Sequence, residues 1–282
     1  MPVSIRFLGH AAFSITDGTH TVLVDPFITG NPQAEAAGIT ADSLDATHIA
    51  LTHGHEDHVG DTVSIATRTG ATVIAGFELA NLLGEKGLEN LEPANPGGGV
   101  DLPFGRISLT FAYHSSSYQG RYTGMPAGLV VCMGDRTVYH CGDTGLFGDM
   151  KLIGEIHQPD VAIVPIGDRF TMGPADATRA AEMIGAGIAI PCHWNTWPLI
   201  EQDPANFAPA GVQVRILEVD GAIEAWLAAE APCLLPHLRE TDPGRVFDAA
   251  SCPNAWPDAV PSVAKSDRHH GSEKKRKIDP DV

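Results

Sequence analysis

Residues 51–61, LTHGHEDHVGD, decide how this chain is read. Three histidines (His53, His55, His58) and three acids (Glu56, Asp57, Asp61) share eleven positions. Neutral imidazole and carboxylate are good ligands for a borderline divalent ion such as zinc. His53, His55, Asp57 and His58 lie so close in sequence that they converge only if the backbone turns sharply, and Gly54 allows that turn. THIALT (47–52) reads as a strand, and HVGDTVSIATRTG (58–70) as a helix closed by Gly70. Such a junction sends His53 and His55 to one side and Asp57 and His58 to the other, so one loop can feed two ions. HEDH is not the HExxH zinc-protease helix, because its second histidine comes one residue early.

Two ions need more ligands than one loop holds, since a catalytic zinc takes about three protein ligands. His114 follows LTFAY, Asp143 sits in HCGDTG, and His193 lies in IPCHWN. Each falls at or just past the end of a predicted strand, where separate loops can converge on one site. His53, His55 and His114 then serve one ion and Asp57, His58 and His193 the other, with Asp143 bridging both.

Working outward, VSIRFL (3–8), AFSIT (12–16), HTVLVD (20–25) and ATVIAG (71–76) read as strands. RISLTFAYH (106–114), AGLVVCM (127–133), RTVYHCGD (136–143), DVAIVPIG (160–167), GIAIPCHW (187–194) and VQVRILEV (212–219) read likewise. FELANLLGEKG (77–87), LFGDMKLIGEIH (146–157) and PADATRAAEMIGAG (174–187) read as helices, and NPGGGVDLPFG (95–105) as a turn-rich connector. Strand runs followed by helices predict an α+β body over residues 1–229: two sheets face to face, helices outside. Residues 230–282 lose that periodicity and read as a disordered or loosely packed extension, whose EKKRK run (273–277) is a solvated charge run.

The 282 residues, 43% hydrophobic, suffice for a sizeable core. Of the net charge of −17, residues 1–229 carry nearly all, with 10 Lys/Arg against 26 Asp/Glu. An acidic body disfavours nucleic acid, whose binding depends on Lys and Arg. No apolar run is long enough to span a membrane. Five cysteines, an odd number with no CxxC pair, fit a reducing cytoplasm, and MPVSIRFLGHAAFSIT lacks the pattern of a secretory signal. The expected partner is a small molecule, with neither nucleic acid nor membrane.

HxHxDH, a later histidine, a GDT aspartate and a final histidine together resemble the ligand pattern of the metallo-β-lactamase superfamily. GDTGLFGDMKLIGE, VPIGDRFTMGPADA and IPCHWNTWP are similar to a family of cytoplasmic metal-dependent hydrolases related to ascorbate-6-phosphate lactonase and to phosphodiesterase-like members. The resemblance covers residues 1 to about 229. It implies a four-layer αββα sandwich, a dinuclear site holding zinc, sometimes manganese or iron, and possible homo-oligomers. Asp168, Trp194 and Trp197 depart from the family pattern, which touches the pocket and not the ligands.

These residues predict a metal-bridging hydroxide attacking an ester, lactone or phosphodiester of a small anionic substrate, with Asp57 orienting the hydroxide and moving its proton. Two alternatives stand beside it. One is a nuclease of the same superfamily, disfavoured by the acidic body and by the mere 49 residues between Asp143 and His193. The other is a di-iron redox protein, disfavoured by an intact His55 and no flavin domain. Asp25, in VLVDPF, reads as a carboxylate behind a ligand imidazole or as a turn residue. His10, in LGHAAF, is a candidate pocket residue that lines the mouth or hydrogen-bonds near the metals, and reads equally as a structural histidine after a turn glycine; Thr171 and Trp194 are candidate pocket residues, with Met172 and Trp197 beside them, and read equally as core or rim. His140 reads as a structural hydrogen-bonder, His20 and His48 as surface or turn residues, and Cys132, Cys141 and Cys192 as small buried hydrophobes.

Overall fold

The computed structural model describes residues 2–225. The readings of the 230–282 extension fall outside those residues.

Among the described residues, two seven-stranded mixed sheets form the centre. The first is built from β1 (Ser4–Gly9), β2 (Ala12–Thr16), β3 (Thr21–Val24), β4 (His48–Ala50), β5 (Thr72–Gly76) and β6 (Leu91–Ala94). The second takes β7 (Gly99–Leu102), β8 (Gly105–Phe111), β11 (Ala127–Met133), β12 (Arg136–His140), β13 (Val161–Pro165), β14 (Ile188–Cys192) and β15 (Gln213–Val214). A small hairpin, β9 (Ser117–Tyr118) and β10 (Arg121–Tyr122), stands apart, and β16 (Ala222–Glu224) returns to pair with β1. The orders are β16-β1-β2-β3-β4-β5-β6 and β15-β14-β13-β12-β11-β8-β7. Both sheets open antiparallel and continue parallel: β3 to β6 in one, β12 to β15 in the other.

Three apolar seams make four layers. Alternation along β3 and β4 turns Val22, Val24 and Ala50 toward the second sheet, where they meet Leu129, Val131, Ile163 and Ile190. Leu23, Ile49 and Leu51 face the other way, onto helices α1 (Pro32–Ala36), α3 (Thr62–Thr69) and α4 (Phe77–Glu85) through Ala34, Ile65, Leu79 and Leu83. On the far side, Tyr139, Ala162 and Val164 pack under α5 (Met150–His157) and α6 (Pro174–Ile184), against Met150, Ile153, Ala177 and Ala181. Burial on both faces is why these strands read as nearly unbroken apolar runs. The expected αββα sandwich is the fold observed.

Several expectations need correction. The single helix over 58–70 is two, α2 (Glu56–Val59) and α3, broken at Gly60. Its φ is +41°, and a Cβ there would lie 2.5 Å from Phe27 Cα and from Pro26 O. The chain after β3 presses on this junction and is stitched to it: Ile28 and Thr29 N–H donate to Asp61 Oδ2 at 3.0 and 2.8 Å. The connector over 95–105 holds β7, and of 212–219 only Gln213–Val214 joins a sheet. His48 is no surface residue; it is buried on β4 beside Phe104.

Candidate metal centre

Strand ends on one edge bring the chemistry together. β4 runs into the loop carrying His53 and His55, which passes straight into α2 with Asp57 and His58. His114 follows β8, Asp143 follows β12, and His193 follows β14. Asp25 follows β3, and His10 follows β1. His10, Asp25 and His193 hold left-handed backbone, with φ of +57°, +45° and +55°. Such conformations are rare for non-glycine residues and cluster at functional sites. The two sheets are joined here by a 2.7 Å hydrogen bond from His193 N–H to the His10 carbonyl.

Two groups of ligand atoms result. His53, His55 and His114 form the first: His55 Nδ1 lies 2.9 Å from His53 Nε2 and 3.2 Å from His114 Nε2. Asp57, His58 and His193 form the second, together with His10. Asp143 Oδ2 reaches both, at 3.1 Å from His193 Nε2, 3.4 Å from His58 Nε2 and 3.5 Å from His114 Nε2.

The surroundings suit cations. His58 Nε2, both ring nitrogens of His193 and Asp143 Oδ1 are buried with no hydrogen-bond partner. Each such group costs about 1–3 kcal/mol unless something satisfies it. Burial, with neighbouring imidazoles, holds His53, His55 and His114 below the ordinary histidine range, so their lone pairs are free at neutral pH. His58 and His193 move the other way. Burial opposes their charge, but Asp143 outweighs it and pushes His193 up to about 9. Asp57 and Asp143 are held well below the carboxylate range against burial, chiefly by His58 for Asp57 and by His193 for Asp143. A pocket with that preference for positive charge, lined by unsatisfied nitrogen and carboxylate donors, fits divalent ions.

Behind these donors sits a polar frame. Asp25 Oδ2 accepts from His58 Nδ1 at 2.7 Å and from Thr52 Oγ1 at 2.6 Å, while Oδ1 accepts from Thr52 N–H at 2.8 Å. That leaves His58 Nε2 aimed at the cluster. His140 accepts from Gly142 N–H at Nδ1 and donates to the Ala11 carbonyl, a structural role. Cys132, Cys141 and Cys192 are buried thiols, none in a disulfide, packed among apolar side chains.

The pocket candidates fare differently. His10 lines no mouth: it is 0% exposed, with Nδ1 2.7 Å from Thr196 Oγ1 and Nε2 3.1 Å from Asp57 Oδ2. Hydrogen bonding beside the metal ligands, the other functional reading of His10, is what its contact with Asp57 shows, although spacing did not single out Asp57 as the partner. Trp194 packs on the outer core and gives its carbonyl to Gln33, whereas Trp197 stands 4.8 Å from the His10 ring. Thr171 is half-buried and bonds the Met172 carbonyl; its loop touches the Asp143 loop through Met172 N–H and Thr144 O. Gly54 lies at a bend of the ligand loop, as its expected turn requires. A Cβ there would overlap Thr123 Oγ1, so it is needed for close approach.

The β-lactamase superfamily domain matches residues 20–194. A metal-dependent hydrolase of family UPF0173 from Shouchella clausii is 49% identical over 230 residues, covering 79% of this chain and 100% of the relative. One from Bacillus licheniformis is 47% identical over 231 residues, covering 79% and 99%. Among solved structures, Igni18, a metallo hydrolase from the archaeon Ignicoccus hospitalis, is 34% identical with a TM-score of 0.72, over 79% of this chain and 98% of that one. With its fold, its converging donors and these relatives, the chain belongs to the metal-dependent hydrolases of the metallo-β-lactamase superfamily.

Proposed function

We propose that this protein hydrolyses an ester, lactone or phosphodiester bond of a small molecule at a dinuclear centre, with zinc the first choice of metal and manganese or iron the alternatives. The observation that carries this reading is the reach of Asp143 Oδ2 to nitrogens of both donor groups, which suits a bridging carboxylate. His53, His55 and His114 would hold one ion; Asp57, His58 and His193 the other. Bound there, such ions supply Lewis acidity and lower the pKa of water to about 7.

The chain's own groups do the rest. Asp25 fixes the His58 tautomer by taking its Nδ1 proton in a hydrogen bond. Asp57 keeps more solvent access than Asp143, so it is the carboxylate placed to orient attacking water. Its negative charge is kept available by His10, His58 and His193. A phosphate or carboxylate on the substrate would be drawn to the cluster, where the metal charge exceeds that of the aspartates. Neither the cleft beside His114 nor the one beside Thr196 and Trp197 is lined by Lys or Arg.

The acidic body supports a small substrate over nucleic acid, and buried thiols, none in a disulfide, support a cytoplasmic setting. No helix among the described residues is long and apolar enough to cross a membrane. The test is metal content measured alongside a screen of lactones, thioesters and phosphodiesters, with RNA as competitor. About two ions per chain and hydrolysis lost in both His55→Ala and Asp143→Ala are expected. Activity surviving both substitutions would overturn the reading.

A further inference from the structure

Beside the donor cluster lies a cleft of about 470 Å³, within the range of small-molecule sites. Its wall includes Phe111, Tyr113, His114, Ser115, Tyr122 and Met125, and among the described residues no Lys, Arg, Asp or Glu lines it. His114 belongs to the first donor group, and Ser115 Oγ is 3.4 Å from His55 Nε2, so the cleft adjoins the cluster. Tyr113, Tyr122 and Met125 are 60%, 71% and 47% exposed around it. One exposed apolar residue means little, but three around one concavity mark a binding surface.

The wall is held in place. Gly54 N–H, inside the ligand loop, donates to Ser116 Oγ at 3.0 Å, and Ser116 Oγ lies 2.7 Å from Thr123 Oγ1. Thr123 N–H closes the base of the β9–β10 hairpin on the Ser116 carbonyl at 3.2 Å. The cations nearest the hairpin are already engaged: Arg121 by both oxygens of Glu85, and Lys86 by Gln119 and the Tyr118 ring. None is left to greet an anion in the cleft.

We propose that this cleft receives an uncharged, apolar limb of the substrate, an alkyl or aryl group, while the scissile polar group lies at the donor cluster. The proposal rests on the hydrolase reading for the bond that is cut, and on the cleft alone for what is bound. Apolar burial then sets selectivity, at about fourfold in kcat/KM per methylene until the cleft is full. A second copy of the chain is the competing occupant of this surface. The concavity beside His55 and His114 favours a small ligand.

Two measurements on the full-length, metal-loaded protein test it. The first compares kcat/KM for p-nitrophenyl acetate, butyrate and hexanoate with that for p-nitrophenyl hydrogen glutarate. A rise with chain length and discrimination against the ω-carboxylate are expected, with both diminished in Met125→Arg. The second follows the Met125 methyl by NMR in methionine-labelled protein, assigned with Met125→Leu, on titration with hexanamide or glutaramate. A saturable shift with hexanamide alone is expected. If no ester is hydrolysed yet that shift appears, ester hydrolysis fails and the cleft assignment stands. If esters are hydrolysed with no chain-length preference and Met125 does not respond, the assignment is overturned. Sedimentation showing a dimer that Tyr122→Asp dissociates would give the surface to a second copy and likewise overturn it.

Discussion

His10 Nε2 lies 3.1 Å from Asp57 Oδ2, and the other ring nitrogen of His10 lies 2.7 Å from Thr196 Oγ1. A residue near the start of the chain thereby sets the orientation of the carboxylate best placed to orient attacking water. Burial, with His193 beside it, lowers the His10 pKa to about 4, so the ring is neutral and its proton goes to whichever partner the tautomer allows. Donation from Nε2 to Asp57 leaves Nδ1 to accept from Thr196, a chain satisfied at every link.

His10→Ala should therefore weaken metal binding at the Asp57 donor group and activity by about 10- to 100-fold, the usual effect of removing a partner behind a ligand. Thr196→Val should give a smaller loss of the same kind. Metal stoichiometry after dialysis against a weak chelator, read beside kcat, checks both. Metal content unchanged in His10→Ala would show that the contact does not support the site.

Asp25→Asn keeps the size of the side chain but replaces one acceptor oxygen with a donor facing His58 and Thr52. The His58 ring then loses the partner that fixes its tautomer, and metal affinity should fall about 10- to 100-fold. Competitive titration with a chromophoric chelator measures this. Unchanged affinity would place the role of Asp25 in the turn before Pro26 instead.

Gly60→Ala inserts a methyl group where Phe27 Cα and Pro26 O stand 2.5 Å away, at a backbone φ of +41°. Neither backbone atom can rotate aside as a side chain could. A stability loss of about 1–3 kcal/mol or more is expected from strain and overpacking. Urea unfolding of the metal-free protein reads it without interference from ion binding.

Burial, with His20 nearby, lowers the pKa of His48 from its ordinary 6.5. As pH falls below that value, the unfolded chain takes up a proton that folded His48 refuses until lower pH. The stability difference between wild type and His48→Asn should therefore be constant above about pH 7 and shift against the wild type as pH drops toward 5. Histidines of the donor cluster titrate in both proteins and cancel in that difference. Paired unfolding curves from pH 5 to 7.5 check it, and a difference independent of pH would refute it.

The donor cluster was legible because chemistry and position coincide: His53, His55, Asp57 and His58 crowd one loop, and His114, Asp143 and His193 each follow a strong strand pattern. The layered fold was legible for a related reason, since strands buried on both faces cannot hide their apolar runs. What escaped notice was set by contact rather than period. No pattern names Asp57 as the partner of His10 across 47 residues, and the two-residue strands β9 and β10 are too short to carry any alternation. The helix break at Gly60 comes from a segment more than thirty residues earlier in the chain. His48 was misplaced because a polar side chain at the start of a three-residue strand looks like a turn until Phe104 covers it.

The latch formed by Gly54, Ser116 and Thr123 has a practical meaning for anyone wishing to retarget this enzyme. Floor and rim of the entrance are separable only above that point. Tyr122 and Met125 stand exposed outside that latch, whereas Tyr113 packs on Phe111 and Phe147, and a graft that carries in a new 116–123 segment must also bring a compatible residue opposite Gly54, or the ligand loop will be unseated with it.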